Sequence, residues 1–147
     1  CRHSSSSIRL PIGRRELLPK SVNDAIDYAE SKTQDYDQFV FTVCLAYGSR
    51  EEMIDAIRSI AKEHSEGDLP LESIDEQAVS ERLYTGDMPD PDLVIRTSGE
   101  ERISNFLLWQ MAYSELYFTD VFWPSFQKKD LLKAVRTFQD RRRRFGE

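Results

Sequence analysis

The sequence predicts an α/β fold in which a mostly parallel central sheet is flanked by helices. Residues 38–47 (QFVFTVCLAY) are nearly continuous in β-branched and aromatic side chains, the composition of a strand covered on both faces. Gly48 breaks that run and the spacing beyond it becomes helical, so strand, Gly-Ser turn and helix make one βα unit. A second short strand, Leu93, Val94 and Ile95, also reads as buried on both faces and leaves the sheet through Arg96-Thr97-Ser98-Gly99.

Taken in order, residues 1–7 are a polar end without periodicity, expected to be a cut or disordered terminus, and one domain follows over 8–147. Residues 8–12 form a short strand that Pro11 confines to an edge or an end. Pro19 suits a first helical turn, and Leu18, Val22, Ala25, Ile26 and Ala29 make an apolar stripe over roughly 18–32. Cys44 belongs to the core of the 38–47 strand. Ser49 with Glu52 three residues later has the form of a capping box, opening a helix whose buried face includes Met53, Ile54, Ile57 and Ala61. Residues 64–71 are a surface loop, Ser73 to Glu76 open a short helix ending near Leu83, and residues 85–91 (TGDMPDP) turn the chain into the next strand. Asp90 and Asp92 lie at the amino edge of that strand, where turn and capping roles outrank metal binding. Residues 105–113 are apolar almost all round and predict a helix covered on every side, one that also suits a pocket wall or an oligomer interface. Leu131, Leu132, Val135 and Phe138 predict a last helix, whose dipole the solvated arginines at 141–144 complement.

With 147 residues, 39% hydrophobic and 31% charged, the chain has the composition of a soluble globular domain. A net charge of -6 argues against nucleic acid as the partner, since phosphate-backbone binding leaves a basic footprint. Cys1 and Cys44 have neither disulfide-framework nor zinc spacing, which fits a reducing cytoplasm. No run reaches the ~18 apolar residues of a membrane span, and the first residues lack the apolar segment of a signal peptide.

Ligands of parallel sheets gather at the carboxyl ends of the strands, where helix N-termini present free N–H groups. The turn at 47–50 lies at such an end, and Arg50 is either a support for a phosphate or a solvated first-turn residue. Arg96 stands at a second such end. Six residues on, Arg102 precedes Ser104, which can cap the helix that follows, and together they form a receptor for a phosphate or diphosphate. Each charge-assisted bond there is worth ~1.5–3 kcal/mol. The competing reading is a pair of surface salt bridges to Glu100 and Glu101. Glu115, between Tyr113 and Tyr117, needs a partner, either an arginine or Mg2+ shared with a diphosphate. Ser98 has no histidine placed to activate it, so a serine-hydrolase reading fails, and no GxGxxG or GxxxxGK loop supports a generic nucleotide domain.

The runs Asp92-Leu-Val-Ile-Arg-Thr-Ser-Gly-Glu100, Arg102-Ile-Ser-Asn-Phe-Leu-Leu-Trp-Gln110, Ala112-Tyr-Ser-Glu115 and Asp120-Val-Phe-Trp-Pro124 resemble the cis-prenyltransferase family, the undecaprenyl diphosphate synthase type. The resemblance extends less strictly over residues 45–57 and on to Arg144-Phe145-Gly146. It implies condensation of isopentenyl diphosphate onto an allylic diphosphate in cis, giving a long-chain polyprenyl diphosphate. By position it implies that Arg96, Arg102 and Ser104 hold the diphosphate of isopentenyl diphosphate and that Glu115 helps bind Mg2+. It further implies that the Trp109 segment forms a homodimer and that Arg144 approaches the partner subunit's site. Membrane association through the lipid product is a further implication.

The family's Asp-Gly-Asn-x-Arg-Trp motif, with its essential Asp, does not occur in these residues, so no catalytic residue is assigned here. The expected fold is accordingly an incomplete prenyltransferase domain, lacking its N-terminal third. Ala46-Tyr47-Gly48-Ser49-Arg50 stands where the family usually reads Asn-Tyr-Gly-Gly-Arg, which removes any polar role at Ala46. The alternative function is a non-catalytic partner subunit of a synthase.

Overall fold

The computed structural model describes residues 6–36 and 39–141, divided between two compact units, one up to Met88 and one from Pro89. Each unit is built on a pair of parallel strands with helices against it.

In the first unit, β1 (Ser6–Ile12) and β2 (Phe39–Cys44) pair in parallel, and α1 (Lys20–Thr33) makes the crossover that parallel strands require. β1 begins at Ser6, inside the tract expected to be a loose end, because Ser6 and Ser7 pair with Phe39 and Val40. The register slips between Arg9 and Ile12, where Pro11 has no N–H to give the ladder. Beyond the slip the two chains run very close. Leu45 N–H donates to the Ile12 carbonyl, and a Cβ on Gly13 (φ +136°) would lie 2.0 Å from the Leu45 carbonyl oxygen. Ile26 is the buried residue of α1, and the Asn23 amide ties the helix to the carbonyls of Arg15 and Leu18.

β2 departs from expectation. Phe39, Val40 and Phe41 are 59, 53 and 59% exposed and Cys44 is half-buried, because β1 is its one strand neighbour among the described residues. α2 (Ser49–Glu66) also presents a different face. Its N-cap is Gly48, and Ser49, Glu52, Ala56 and Ile60 are buried, whereas Ile54 and Ile57 are about half exposed. That is the expected face displaced by one residue, about 100° around the helix. The Glu52 carboxylate is drawn inward to partners described below. α2 continues three residues, just under one turn, into the expected loop and closes at Gly67 (φ +85°), while Asp75 caps the short α3 (Glu76–Ser80) by accepting from the Ala78 N–H.

In the second unit, β3 (Leu93–Arg96) and β4 (Glu115–Phe118) pair in parallel from Leu93↔Glu115 to Arg96↔Phe118. β3 is half-buried along its length rather than buried on both faces. The helix expected over 105–113 does not form. Ser104, Asn105 and Leu107 have φ of 54°, 62° and 45°, which a right-handed helix cannot contain, and the segment is a series of turns joined by a Met111 N–H to Leu107 carbonyl bond. Gln110 and Met111 are buried, but Phe106, Leu108 and Tyr113 are 39, 38 and 90% exposed. α4 (Lys128–Asp140) starts with a reciprocal capping box between Gln127 and Asp130. Ala134 is its buried residue, with Val135 and Phe138 half-buried and Leu131 and Leu132 largely exposed. Among the described residues no helix is long and apolar enough to cross a membrane.

Candidate functional site

At the carboxyl edge of β3 the chain turns through Ser98 (φ 72°) and Gly99 (φ 67°), two successive left-handed residues. Their N–H groups donate to the carbonyls of Val121 and Thr119, each at 2.9 Å, and Thr119 N–H donates to the Arg96 carbonyl at 2.9 Å. The loop is thus laced to the segment after β4. Gly99 fits its left-handed φ of 67°, and a Cβ there would also stand 2.9 Å from the Asp120 carboxylate and push that side chain aside.

This loop roofs a cavity of about 340 Å³. Arg96, Ser98, Glu100 and Arg102 supply its polar wall, and Ile103, Phe106, Met111 and Leu116 its apolar wall. Such a cavity suits a small amphiphile with an anionic head: guanidiniums bind paired oxygens, and the apolar side sheds water from a hydrocarbon. Arg102 is ion-paired to Glu100, so the cavity wall and the salt bridge that the sequence left as alternatives are both present. The carboxylate stands where an anionic ligand would bind the guanidinium.

The other predicted residues lie elsewhere. Ser104 is exposed, outside the cavity lining, with no helix to cap. Glu115 sits at the amino end of β4 opposite Leu93, three residues and about 10 Å along the strands from the Arg96 level. Its carboxylate accepts from Arg141 Nη1 at 2.6 Å, and the same nitrogen donates to the Leu116 carbonyl at 3.0 Å. The partner that Glu115 needed is therefore an arginine, from 26 residues away in the chain. Arg50 is exposed on the first turn of α2, and Arg144 and Gly146 fall outside the described residues.

Mg2+ takes one or two carboxylates together with phosphate oxygens and waters. Among the described residues no three His, Cys, Asp or Glu side chains cluster, and the one predicted carboxylate is held by Arg141 away from the arginine cavity. These residues do not by themselves fit the ion.

A polar network in the first unit escaped the sequence reading. Glu52, fully buried, accepts from the Tyr47 hydroxyl at 2.5 Å and from the Tyr84 N–H at 2.8 Å. The Tyr84 hydroxyl donates to Asp55 at 2.5 Å, and Arg14 and Arg58 complete the pairing of that carboxylate. Hydrogen bonding from Tyr84 holds Asp55 below its usual range against the opposing effect of burial, with further help from the charge and hydrogen bond of Arg14. Burial, aided by the Glu52 charge, pushes the Cys44 thiol up. The available signal was a Glu in the first turn of a helix, five residues after a strand-end Tyr.

The sequence model of the undecaprenyl diphosphate synthase prenyltransferases matches residues 2–146. The chain belongs to that family. Among curated relatives, a tritrans,polycis-undecaprenyl-diphosphate synthase (geranylgeranyl-diphosphate specific) of Pyrococcus horikoshii is 56% identical over 135 residues, covering 92% of this chain and 51% of the relative. The enzyme of the same name from Methanocaldococcus jannaschii is 52% identical over 138 residues, 92% of this chain and 49% of its own. The chain thus spans about half the length of the curated relatives it matches. Two solved structures share the fold: lavandulyl diphosphate synthase from Lavandula x intermedia, in complex with dimethylallyl diphosphate (TM-score 0.90, 40% identity, 97% of this chain and 60% of that one), and a probable undecaprenyl diphosphate synthase from Campylobacter jejuni (TM-score 0.82, 31% identity, 97% and 64%). Membership in a prenyltransferase family accords with a cavity that joins two arginines to an apolar wall.

Proposed function

We propose that this chain carries the isopentenyl diphosphate part of a cis-prenyl diphosphate synthase, and that the cavity beneath the 96–102 loop is where that substrate's diphosphate binds. The observation that carries the reading is the cavity itself, with Arg96 and Arg102 on one wall and Phe106, Met111 and Leu116 on the other. The arginines hold the diphosphate and the apolar wall orients the five-carbon chain away from water. In the reaction the C–O bond of the allylic diphosphate breaks and pyrophosphate leaves with the electron pair. The isopentenyl double bond then attacks the allylic carbon and a proton is lost. The chain's relatives are named for geranylgeranyl diphosphate, which makes an allylic diphosphate of that class the proposed primer. Ser104 and Arg144 are assigned to diphosphate binding and Glu115 to Mg2+ by family position alone. For Glu115 that requires release by Arg141 and a site completed by another chain or segment. Exposed Phe106, Leu108 and Tyr113 support a homodimer face along the Trp109 segment, 105–113.

Calorimetry with isopentenyl diphosphate and with inorganic pyrophosphate tests the reading. Both are expected to bind, and Arg96→Ala and Arg102→Ala are each expected to weaken binding about tenfold or more, the loss of one charge-assisted contact. Absence of heat from either ligand favours the non-catalytic partner subunit. Turnover of labelled isopentenyl diphosphate with an allylic primer and Mg2+ is expected only when the segment that the relatives have beyond the matched half is supplied; product from these 147 residues alone overturns that part.

A further inference from the structure

Charge in this chain is unevenly placed. Residues 128–147 hold eight of its 20 Lys and Arg but three of its 26 Asp and Glu, although the whole carries -6. The helix dipole explains the cation at the C-cap of α4, Arg141, and disfavours cations in the first turn. Yet Lys128 and Lys129 occupy the first turn, and Lys133 stands one turn beyond Lys129, at the spacing where like charges repel. Lys129, Lys133 and Arg136 fall on one outward face and flank a shallow groove that Asp140, one turn beyond Arg136, also lines, so three cations face one carboxylate there. Leu132 lies within that face at 53% exposure. Immediately before the helix, Phe122 and Trp123 are 67 and 73% exposed, and Trp123 stacks on Phe126 at 6.0 Å.

We propose that the outward face of α4, with Lys129, Leu132, Lys133 and Arg136, docks on an anionic lipid bilayer. Charge complementarity selects the occupant. Mutually repelling cations lose that repulsion over a negative surface, and their methylene stems let them lie beside Leu132 while the charges reach phosphate. Exposed aromatic residues next to a basic helix are the composition that settles at a headgroup interface. A nucleic acid duplex meets the remaining acidic surface unfavourably and gives the aromatic side chains nothing to enter. The inference rests on α4 alone and stands apart from the diphosphate cavity.

Co-sedimentation of the whole chain with vesicles tests it, using pure phosphatidylcholine and phosphatidylcholine carrying about a third phosphatidylglycerol. The bound fraction is expected to rise about tenfold on the anionic vesicles, to fall with added salt, and to return to the phosphatidylcholine level in the Lys129→Glu/Lys133→Glu/Arg136→Glu variant. Circular dichroism of that variant should match the parent, since all three side chains are exposed. Equal binding to both vesicle types, or undiminished binding by the variant, overturns the proposal. So does displacement from the vesicles by a duplex oligonucleotide at lower concentration than by free anionic lipid.

Discussion

Glu52 shows how one buried carboxylate orients an element. Its two observed partners, the Tyr47 hydroxyl and the Tyr84 N–H, come from a strand-end turn and from the segment after α3, so its removal leaves two donors buried without it. Glu52→Ala is expected to lower the urea midpoint by the equivalent of about 3 kcal/mol, and Tyr47→Phe by about 1 kcal/mol; equal costs would show that the tyrosine bond is the whole effect. In the second unit Glu115→Gln and Arg141→Ala should each loosen the end of α4, read as faster amide exchange there, because that pair ties α4 to β4. Arg96 and Arg102 were legible in the sequence since both follow a strand end at short spacing. Arg141 was legible only as one of a run of arginines. Nothing local says which of them returns to a carboxylate 26 residues back.

Among the elements, α2 and the segment just beyond α3 are joined by an ion pair whose pH response has a definite sign. Arg82 chelates Glu63, with Nε 2.9 and 3.0 Å from the two carboxylate oxygens, and this bonding, with help from Ser59, pulls Glu63 from 4.5 down to about 2. A carboxyl with a depressed folded-state value stabilises fully above its unfolded value and loses that contribution as pH falls toward the folded one. Thermal stability is therefore expected to drop between about pH 4.5 and 2, and Glu63→Gln should flatten that slope; an unchanged slope assigns acid sensitivity to other carboxylates. Gly13→Ala is expected to cost ~3 kcal/mol or more, because its Cβ meets the Leu45 carbonyl where β1 and β2 converge. Periodicity located α1, α2 and α4 but misread which face of α2 turns inward. It also predicted a helix at 105–113, where apolar side chains line a cavity from strained turns instead.

For the whole molecule, parallel pairing and α/β alternation were visible in the residues, but coverage was not. Residues 39–41 have a composition suited to a sheet interior and stand exposed on a strand with one described neighbour. If the segment that the relatives have beyond the matched half is added, amide exchange over 39–41 is expected to slow by about tenfold or more, and unchanged exchange would show that β2 gains no cover from it. By itself the sequence determined the local alternation of strand and helix, the start of a short helix within Ser73 to Glu76, and two arginines at a strand end, because these depend on side-chain chemistry over a few neighbouring residues. Only the tertiary structure decided that Glu115 answers to Arg141, that Glu52 turns α2, and that the apolar run after Arg102 forms a cavity wall, because each depends on residues brought together from distant parts of the chain.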